Sequence, residues 1–452
     1  MQKNKIFVYQ CAQVAALGSL LFGFDTAVIS GTTEALQKLY DLSDGWLGFT
    51  VASALLGTIA GSILVGWPAD RIGRRNMLVW TGVLYLVSAL GCALAWDWYS
   101  LLVFRFIGGL GVGGASVLSP IYIAEISPAE SRGRLVALAQ FNIVLGILLA
   151  YVSNYVVTLF DFGDVEWRWM FGVEALPAAV FTLLLFGISY SPRWLMAKGR
   201  KQEAMDVLCL LEGSPEIAQA ELLAIQESLD LEHHSLRERF YSKKYLKLIL
   251  LACAIAAFNQ LSGINALIYY APKIFKMAGA AGGNALVQSV IIGLVNLVFT
   301  VAAMRVIDHF GRKKLMLVGS IGYIFSLGLA SYAFFTYGED FTQLGGLTLL
   351  GALVLFIASH AFGQGTVVWV FISEIFPNRV RARGQAVGAF TVWVFNAAVS
   401  QTFPMVAGQF GGGVIFAVYG GFMVLQLLWV IFLMPETKGV PLEDIQKHMG
   451  IE

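Results

Sequence analysis

The chain has 452 residues, 58% of them hydrophobic and only 13% charged, with a mean hydropathy of +0.72. So apolar a composition excludes a soluble domain with a solvated surface and requires burial in lipid. A formal net charge of +1 excludes the polycation expected of a nucleic-acid binder, so the placement of the charges, not their sum, is informative.

Lys3 and Lys5 precede an apolar run of about 25 residues, too long for the core of a signal peptide, so this segment is expected to stay as the first span. A helix crossing the hydrocarbon needs about 20 apolar residues. Windows of that length fall at 6–30, 46–68, 77–96, 101–123, 134–157 and 170–190, and again at 247–270, 286–307, 315–337, 346–370, 384–408 and 413–434. Between the two sets the chain is polar and helix-prone, and SPEIAQAELLAIQESLDLEHH reads as an amphipathic surface helix. The sequence therefore predicts an all-α membrane protein: a six-helix bundle over 1–190, a helical linker over 191–246, a second six-helix bundle over 247–437 and a tail over 438–452. Cys11, Cys92, Cys209 and Cys253 lie scattered, without paired or metal-ligand spacing; free thiols are expected, and no metal or cofactor.

Short loops orient the spans through Lys and Arg. Arg71, Arg74, Arg75, Arg132, Arg134, Arg312, Lys313, Lys314, Arg379, Arg381 and Arg383 follow spans two, four, eight and ten, whereas the opposite loops hold only Lys38, Arg168, Lys273 and Lys276. Both termini and the linker are thus expected on the cytoplasmic side. The basic loops also repeat: GWPADRIGRRNMLVWTG recurs as MRVIDHFGRKKLMLVGS, matching Asp70, Gly73 and Arg74 to Asp308, Gly311 and Arg312. YIAEISPAESRGR recurs as FISEIFPNRVRAR, matching Glu125, Arg132 and Arg134 to Glu374, Arg381 and Arg383. Two blocks repeated in one order imply duplicated halves, an arrangement of secondary transporters in which the site lies between the halves near the midplane.

Topology and helix-end dipoles account for any single Arg of these loops. The acids do nothing for orientation. They suggest cytoplasmic latches, Glu125 with Arg74 or Arg132 and Glu374 with Arg312 or Arg381, closed in one state of the protein and opened by rocking. Asp70 and Asp308 belong to the same clusters. Pairs of this kind are individually worth about 1 kcal/mol or less when partly solvated, so a latch needs a network.

Asp25 in LFGFDTAVISG is an acid inside the first span. Left charged and alone it costs several kcal/mol, and its escapes are a basic partner or a proton. Arg105, near the start of span four, is the obvious partner, although an acid merely capping a helix near the interface would look the same in sequence.

FGFDTAVISG, ADRIGRR, RFIGGLGVG, SPIYIAEISPAESRGR, YSPRWL, NQLSGINALIYYAP, VNLVFTVAAMRVIDHFGRK, VVWVFISEIFPNRVR and PETKG occur in this order along nearly the whole chain. With them the chain resembles the sugar porter branch of the major facilitator superfamily, and most of all its bacterial proton/pentose and proton/hexose symporters, which are similar to the facilitative glucose transporters of animals. The resemblance implies the major facilitator fold: twelve helices in two pseudo-symmetric bundles in the inner membrane, working as a monomer. It implies a monosaccharide and a proton as the partners, with Asp25 and Arg105 as the proton-coupling pair. By the same resemblance Gln140, Gln260, Asn265 and Asn296 match the sugar-binding amides, Asn259 stands where many members carry a second Gln, and Trp369 and Trp393 match the aromatic walls. Tyr269 and Tyr270 resemble the lid on the outer side.

The chemistry suits these residue types. Amides both donate to and accept from hydroxyls, and rings lie against the C–H face of a sugar. Yet a lone Gln or Asn in a span is also ordinary interhelical glue, and Tyr269 and Tyr270 could be an interfacial belt. Gly263 between Gln260 and Asn265 would let the helix unwind and turn both inward. Departures from the family pattern blur the substrate. Thr366 replaces a proline, so span ten is expected to bend less and to hinge on Gly363 and Gly365. Val392 precedes Trp393 where relatives carry an amide. His360 aligns with an aromatic wall and either bonds the sugar or sits against a neighbouring helix, and Glu174 is a second intramembrane acid with a possible relay role.

The main expectation is a proton-coupled monosaccharide importer, with a uniporter of the same family as the alternative. A sensor would need a large signalling extension, and span five lacks the Gly-Pro-rich signature of drug exporters. No nucleophile constellation or metal cluster suggests an enzyme.

Overall fold

Backbone polar groups inside hydrocarbon must be satisfied within the segment, which leaves helices as the solution for the long apolar windows of this chain. A computed structural model describes residues 2–128, 131–235, 240–280, 282–338, 341–377 and 380–438. Among them the regular elements are all helical. They run α1 (Gln2–Leu39), α2 (Asp44–Leu64), α3 (Gly66–Ile72), α4 (Arg74–Ala93), α5 (Trp98–Ile126), α6 (Arg132–Thr158), α7 (Glu166–Gly172), α8 (Ala175–Leu184), α9 (Pro192–Ala197), α10 (Lys201–Glu212) and α11 (Pro215–Ser235), followed by α12 (Lys243–Leu261), α13 (Ile264–Met277), α14 (Gly282–Phe310), α15 (Arg312–Tyr337), α16 (Gln343–Phe362), α17 (Gln364–Ile375) and α18 (Arg381–Phe432).

Eleven helical runs among the described residues are long and apolar enough to span a membrane. The last, 50 residues from Arg383 to Phe432, is far longer than a bilayer needs and is interrupted at Gly411 by φ 76°, ψ 170°, so it counts as two spans. The expected twelve spans result. The tail falls almost wholly on 439–452, outside the described residues.

Two compact units organise the chain. The first comprises Met1–Val28, Ser53–Ser153 and Asp161–Arg237. In it α4 packs along α5 and α8. Helices α2 and α5 cross so closely that a Cβ on Gly109 would lie 1.9 Å from the Ala54 carbonyl oxygen, and one on Gly57 2.1 Å from that of Phe106; only glycine allows this approach. The linker helices α9, α10 and α11 belong to this unit and share a small core of Trp194, Leu195, Leu208 and Leu222.

The second unit comprises Ile29–Ala52, Asn154–Phe160 and Glu238–Glu452. Here α15 packs on α16 and α18, and α12 on α18. The units differ from the expected bundles in two ways: the linker helices group with the first unit, and the ends of α1 and α2 between 29 and 52 group with the second, where they pack on α13 and α18. Lys273 Nζ reaches Asp44 Oδ1 at 3.5 Å and Gln37 Oε1 at 3.2 Å, Lys276 pairs with Glu34, and Gln401 Nε2 donates to the Gly45 carbonyl at 2.8 Å.

The repeated loops share their backbone as well as their sequence. Gly73 has φ 93°, ψ 152° and Gly311 φ 87°, ψ 159°, a left-handed turn that only glycine adopts without strain. Each turn is covered differently: Trp194 lies against Gly73, and the Glu436 carboxylate against Gly311.

Candidate functional site

The start of α5 is fixed by a capping box: Ser100 N donates to Asp97 Oδ1 at 2.7 Å, and Asp97 N donates to Ser100 Oγ at 3.1 Å. That register turns Arg105 toward α1, where its Nη1 meets Asp25 Oδ1 at 2.8 Å. Asp25 is 4% and Arg105 1% exposed. Gly108, one turn along α5, faces Ser88 and the Asp25 carboxylate, and the ring of Phe171 lies 5.7 Å from the guanidinium. The bridge is thus closed to solvent. Glu174, buried between α7 and α8, has an Oε1 without a hydrogen-bond partner among the described residues. Gln140 stands half-buried on α6 in this same unit.

In the second unit the seventh span breaks between α12 and α13. Gly263 takes a left-handed φ of 85°, and Ser262 Oγ donates to the Asn259 carbonyl at 2.7 Å, which the interrupted helix has left without its usual donor. The break brings the amides together: Asn265 Nδ2 donates to Gln260 Oε1 at 2.6 Å, and Gln260 Nε2 to Asn259 Oδ1 at 2.7 Å. Asn296 Oδ1, on α14, accepts from Thr300 at 3.4 Å. Trp393 is buried, but Trp369 is 44% exposed. Tyr269 and Tyr270 are both buried, which is not how an interfacial belt residue sits; Tyr270 stacks on Phe403 and donates to the Ser400 carbonyl at 2.9 Å, and Tyr269 Oη accepts from Asn396 at 3.4 Å. His360 bonds a helix neighbour, its Nδ1 lying 2.5 Å from Tyr323 Oη.

Span ten bends despite the missing proline. Gly363, at φ −92°, ψ −95°, separates α16 from α17, and Thr366 Oγ1 donates to the freed Ala361 carbonyl at 2.7 Å. A Cβ on Gly363 would lie 2.9 Å from Gly319 Cα, so close packing of α15 at this point, not a proline ring, makes the hinge.

The charged loops form pairs inside each unit. Arg74 reaches Glu125 at 3.2 Å and Asp70 at 2.8 Å in the first. In the second, Arg312 holds Glu374 at two points, 2.7 and 3.0 Å, and Thr437 donates to the same carboxylate at 2.6 Å. Arg132 does not meet Glu125; it approaches Glu221 of the linker at 3.9 Å, and Arg381 donates to the Phe376 carbonyl at 3.4 Å. The side chain of Asp308 lies outside the described residues. Sequence reasoning missed Glu436 of PETKG. Its carboxylate accepts the backbone N–H groups of Arg312, Lys313, Thr437 and Lys438 and so caps α15. Burial alone would raise its pKa, but those four donors prevail and hold it below the usual glutamate range. Also missed were Gln364, Gln426, Tyr323 and Ser320, buried polar groups behind the amides. Their only sequence signal is amides standing in apolar runs, as Gln426 does in VLQLLW.

Comparison with known proteins agrees with this arrangement. The family described as "Sugar (and other) transporter" matches residues 11–449. The D-xylose-proton symporter of Escherichia coli K12 is 38% identical, over 98% of this chain and 96% of its own length. The arabinose-proton symporter of Bacillus subtilis is 36% identical over 98% and 95%. Among solved structures, the inward-open xylose transporter XylE from E. coli superposes with a TM-score of 0.87 at 36% identity, over 98% of this chain and all of its own. With two relatives of this identity along almost its entire length, and the same fold, the chain belongs to the sugar transporter family.

Proposed function

We propose that the protein is a proton-coupled monosaccharide symporter of the inner membrane that imports sugar by alternating access. The observation that carries this reading is the buried Asp25–Arg105 bridge: a carboxylate in the spans that either holds a guanidinium at 2.8 Å or, when protonated, releases it. Asp25 takes a proton on the outer side, lets Arg105 go and permits closure over sugar; on the inner side it loses the proton and regains its partner. One proton moving down about 150 mV supplies roughly 3.5 kcal/mol, enough to concentrate a neutral sugar a few hundred-fold.

The amides Asn259, Gln260 and Asn265, with Asn296 and Gln140, bind the hydroxyls, and Trp393 and Trp369 supply the ring surfaces. Tyr269 and Tyr270 form the lid, and the pairs of Arg74 and Arg312 brace the loops that rock. Both termini lie in the cytoplasm, and the monomer is the working unit. The names of the relatives, symporters for xylose and for arabinose, support a pentose or a closely related hexose as the substrate.

The test is uptake by proteoliposomes of D-xylose, L-arabinose and D-glucose under an imposed proton gradient, comparing wild type with Asp25→Asn. Wild type accumulates one of the sugars and loses it on adding an uncoupler, while the variant exchanges sugar but does not accumulate it. Accumulation by Asp25→Asn would remove the acid from coupling. A wild type that only equilibrates sugar would make the protein a uniporter.

A further inference from the structure

Behind the sugar-facing amides, the second unit holds a line of polar side chains away from any solvent. Gln364, Gln426 and Ser320 are each 0% exposed. Ser320 Oγ donates to the Met316 carbonyl at 2.7 Å and accepts from Gln426 Nε2 at 2.7 Å. Gln426 Oε1 in turn accepts from Gln364 Nε2. Gln364 Oε1 is left to accept, and takes Tyr323 O–H at 3.1 Å and Asn259 Nδ2 at 3.5 Å. From Asn259 the bonds to Gln260 and then Asn265 continue in the same sense.

A backbone carbonyl can only accept, so the line is anchored at Met316 and runs one way, each amide giving an N–H toward that end. Turning one amide over would set N–H against N–H, or oxygen against oxygen, at both of its contacts in a place closed to bulk solvent. Tyr323 Oη also lies 2.5 Å from His360 Nδ1, so the phenol joins the imidazole to the same line.

We propose that Gln364 is a positioning residue that fixes the hydrogen-bond polarity of the sugar site: through Asn259 it holds the amides of Gln260 and Asn265 so that Asn265 Oδ1 meets the sugar as an acceptor. This rests on the sugar-site reading given above. Asn265 is the half-buried end of the line, and its oxygen is the acceptor that the line leaves unused, beside the second N–H of Nδ2. The site therefore demands a hydroxyl that donates at that position of the ring. A deoxy sugar has nothing to give there, and a fluoro sugar can accept but not donate, so both fail alike.

The experiment uses the full-length protein in proteoliposomes with the sugar it accumulates among D-xylose, L-arabinose and D-glucose, and competes it with the monodeoxy and monofluoro analogues at each carbon. In wild type, at one carbon, both analogues compete about tenfold more weakly than the parent, as the loss of one hydrogen bond gives. In Gln364→Met the amides turn freely; the parent KM rises about threefold to tenfold, and at that carbon the fluoro analogue recovers severalfold over the deoxy analogue, because an N–H now faces it. Ser320→Ala shifts the same ratio in the same direction and Ser320→Thr restores it, which decides the matter if Gln364→Met does not insert. An unchanged fluoro-to-deoxy ratio in these variants, or a wild type without such a carbon, overturns the inference. Asn265→Ala separates the two failures: if it leaves uptake unchanged the sugar-site reading itself is wrong, whereas if it abolishes uptake while the ratio stays fixed, only the role of Gln364 falls.

Discussion

Arg312 grips Glu374 with both arms of its guanidinium, Nη2 to Oε1 at 2.7 Å and Nε to Oε2 at 3.0 Å, whereas its repeat counterpart Arg74 reaches Glu125 by Nε alone at 3.2 Å. Duplicated sequence has thus given unequal bridges. In the first half Asp70 competes for the same guanidinium, and in the second Thr437 and the Glu436 cap fix the acid and the start of α15 from the other side. A two-point pair is the stronger geometry. Glu374→Gln is expected to lower stability by about 1–3 kcal/mol and Glu125→Gln by less. Thermal unfolding of the two variants in detergent checks the order; equal losses would show that the second contact contributes nothing.

Glu436 makes a pH prediction outside the membrane. Its folded pKa lies below its ordinary value of 4.5, so its four backbone bonds contribute stability that is fully present above that pH. The contribution is lost as the pH falls through the folded value, when the carboxylate takes a proton. Wild type should therefore lose thermal stability on acidification below about pH 4.5 more steeply than Glu436→Gln, which has no such proton to take. Parallel melting curves from pH 6 to pH 3 test this, and identical slopes would remove Glu436 as the source.

Much of this architecture is legible in the sequence because the bilayer enforces it. Hydrocarbon thickness sets the length of the apolar windows, and the turn at Gly73 and Gly311 demands glycine, so spans and repeat both leave marks. Asp25 and Arg105 are legible for a related reason, since two charges in a membrane segment need each other. Partner choice is harder. Arg132 turns to Glu221 because the linker helix α11 comes to rest beside it, a tertiary outcome that no local pattern encodes. Gln364 escapes notice because one amide in a span reads as helix glue; its meaning lies in sitting between Asn259 and Gln426, residues far from it in sequence. The hinge at Gly363 is legible as a glycine standing in a span, but the close packing of Gly319 that makes it bend without a proline is a tertiary outcome.

The Asp25–Arg105 bridge predicts a double-mutant pattern. Removing one partner leaves the other charged and buried, at a cost of about 3–5 kcal/mol, whereas removing both restores a neutral interior. Asp25→Asn with Arg105→Met should accordingly be more stable than Arg105→Met alone. Thermal unfolding of the single and double variants closes the cycle, and additive losses would mean that the two side chains do not interact.

Lys273 with Asp44, and Lys276 with Glu34, tie the ends of α1 and α2 to α13 within the second unit. Both pairs are partly exposed, so each contributes about 1 kcal/mol or less and is screened by salt. Their joint removal nevertheless takes both ion pairs from these ends at once, leaving the bond from Gln401 to Gly45 and the apolar packing around it to carry more of the contact. With Lys273→Gln and Lys276→Gln combined, spin labels at Leu39 and Gly279 are expected to show a longer and broader distance distribution than in wild type, the tied population falling up to about tenfold. Raising salt from 50 mM to 1 M should move wild type toward the variant and leave the variant itself unmoved, since it has no pair left to screen. A variant distribution identical to wild type at low salt would show that apolar packing alone holds these ends together.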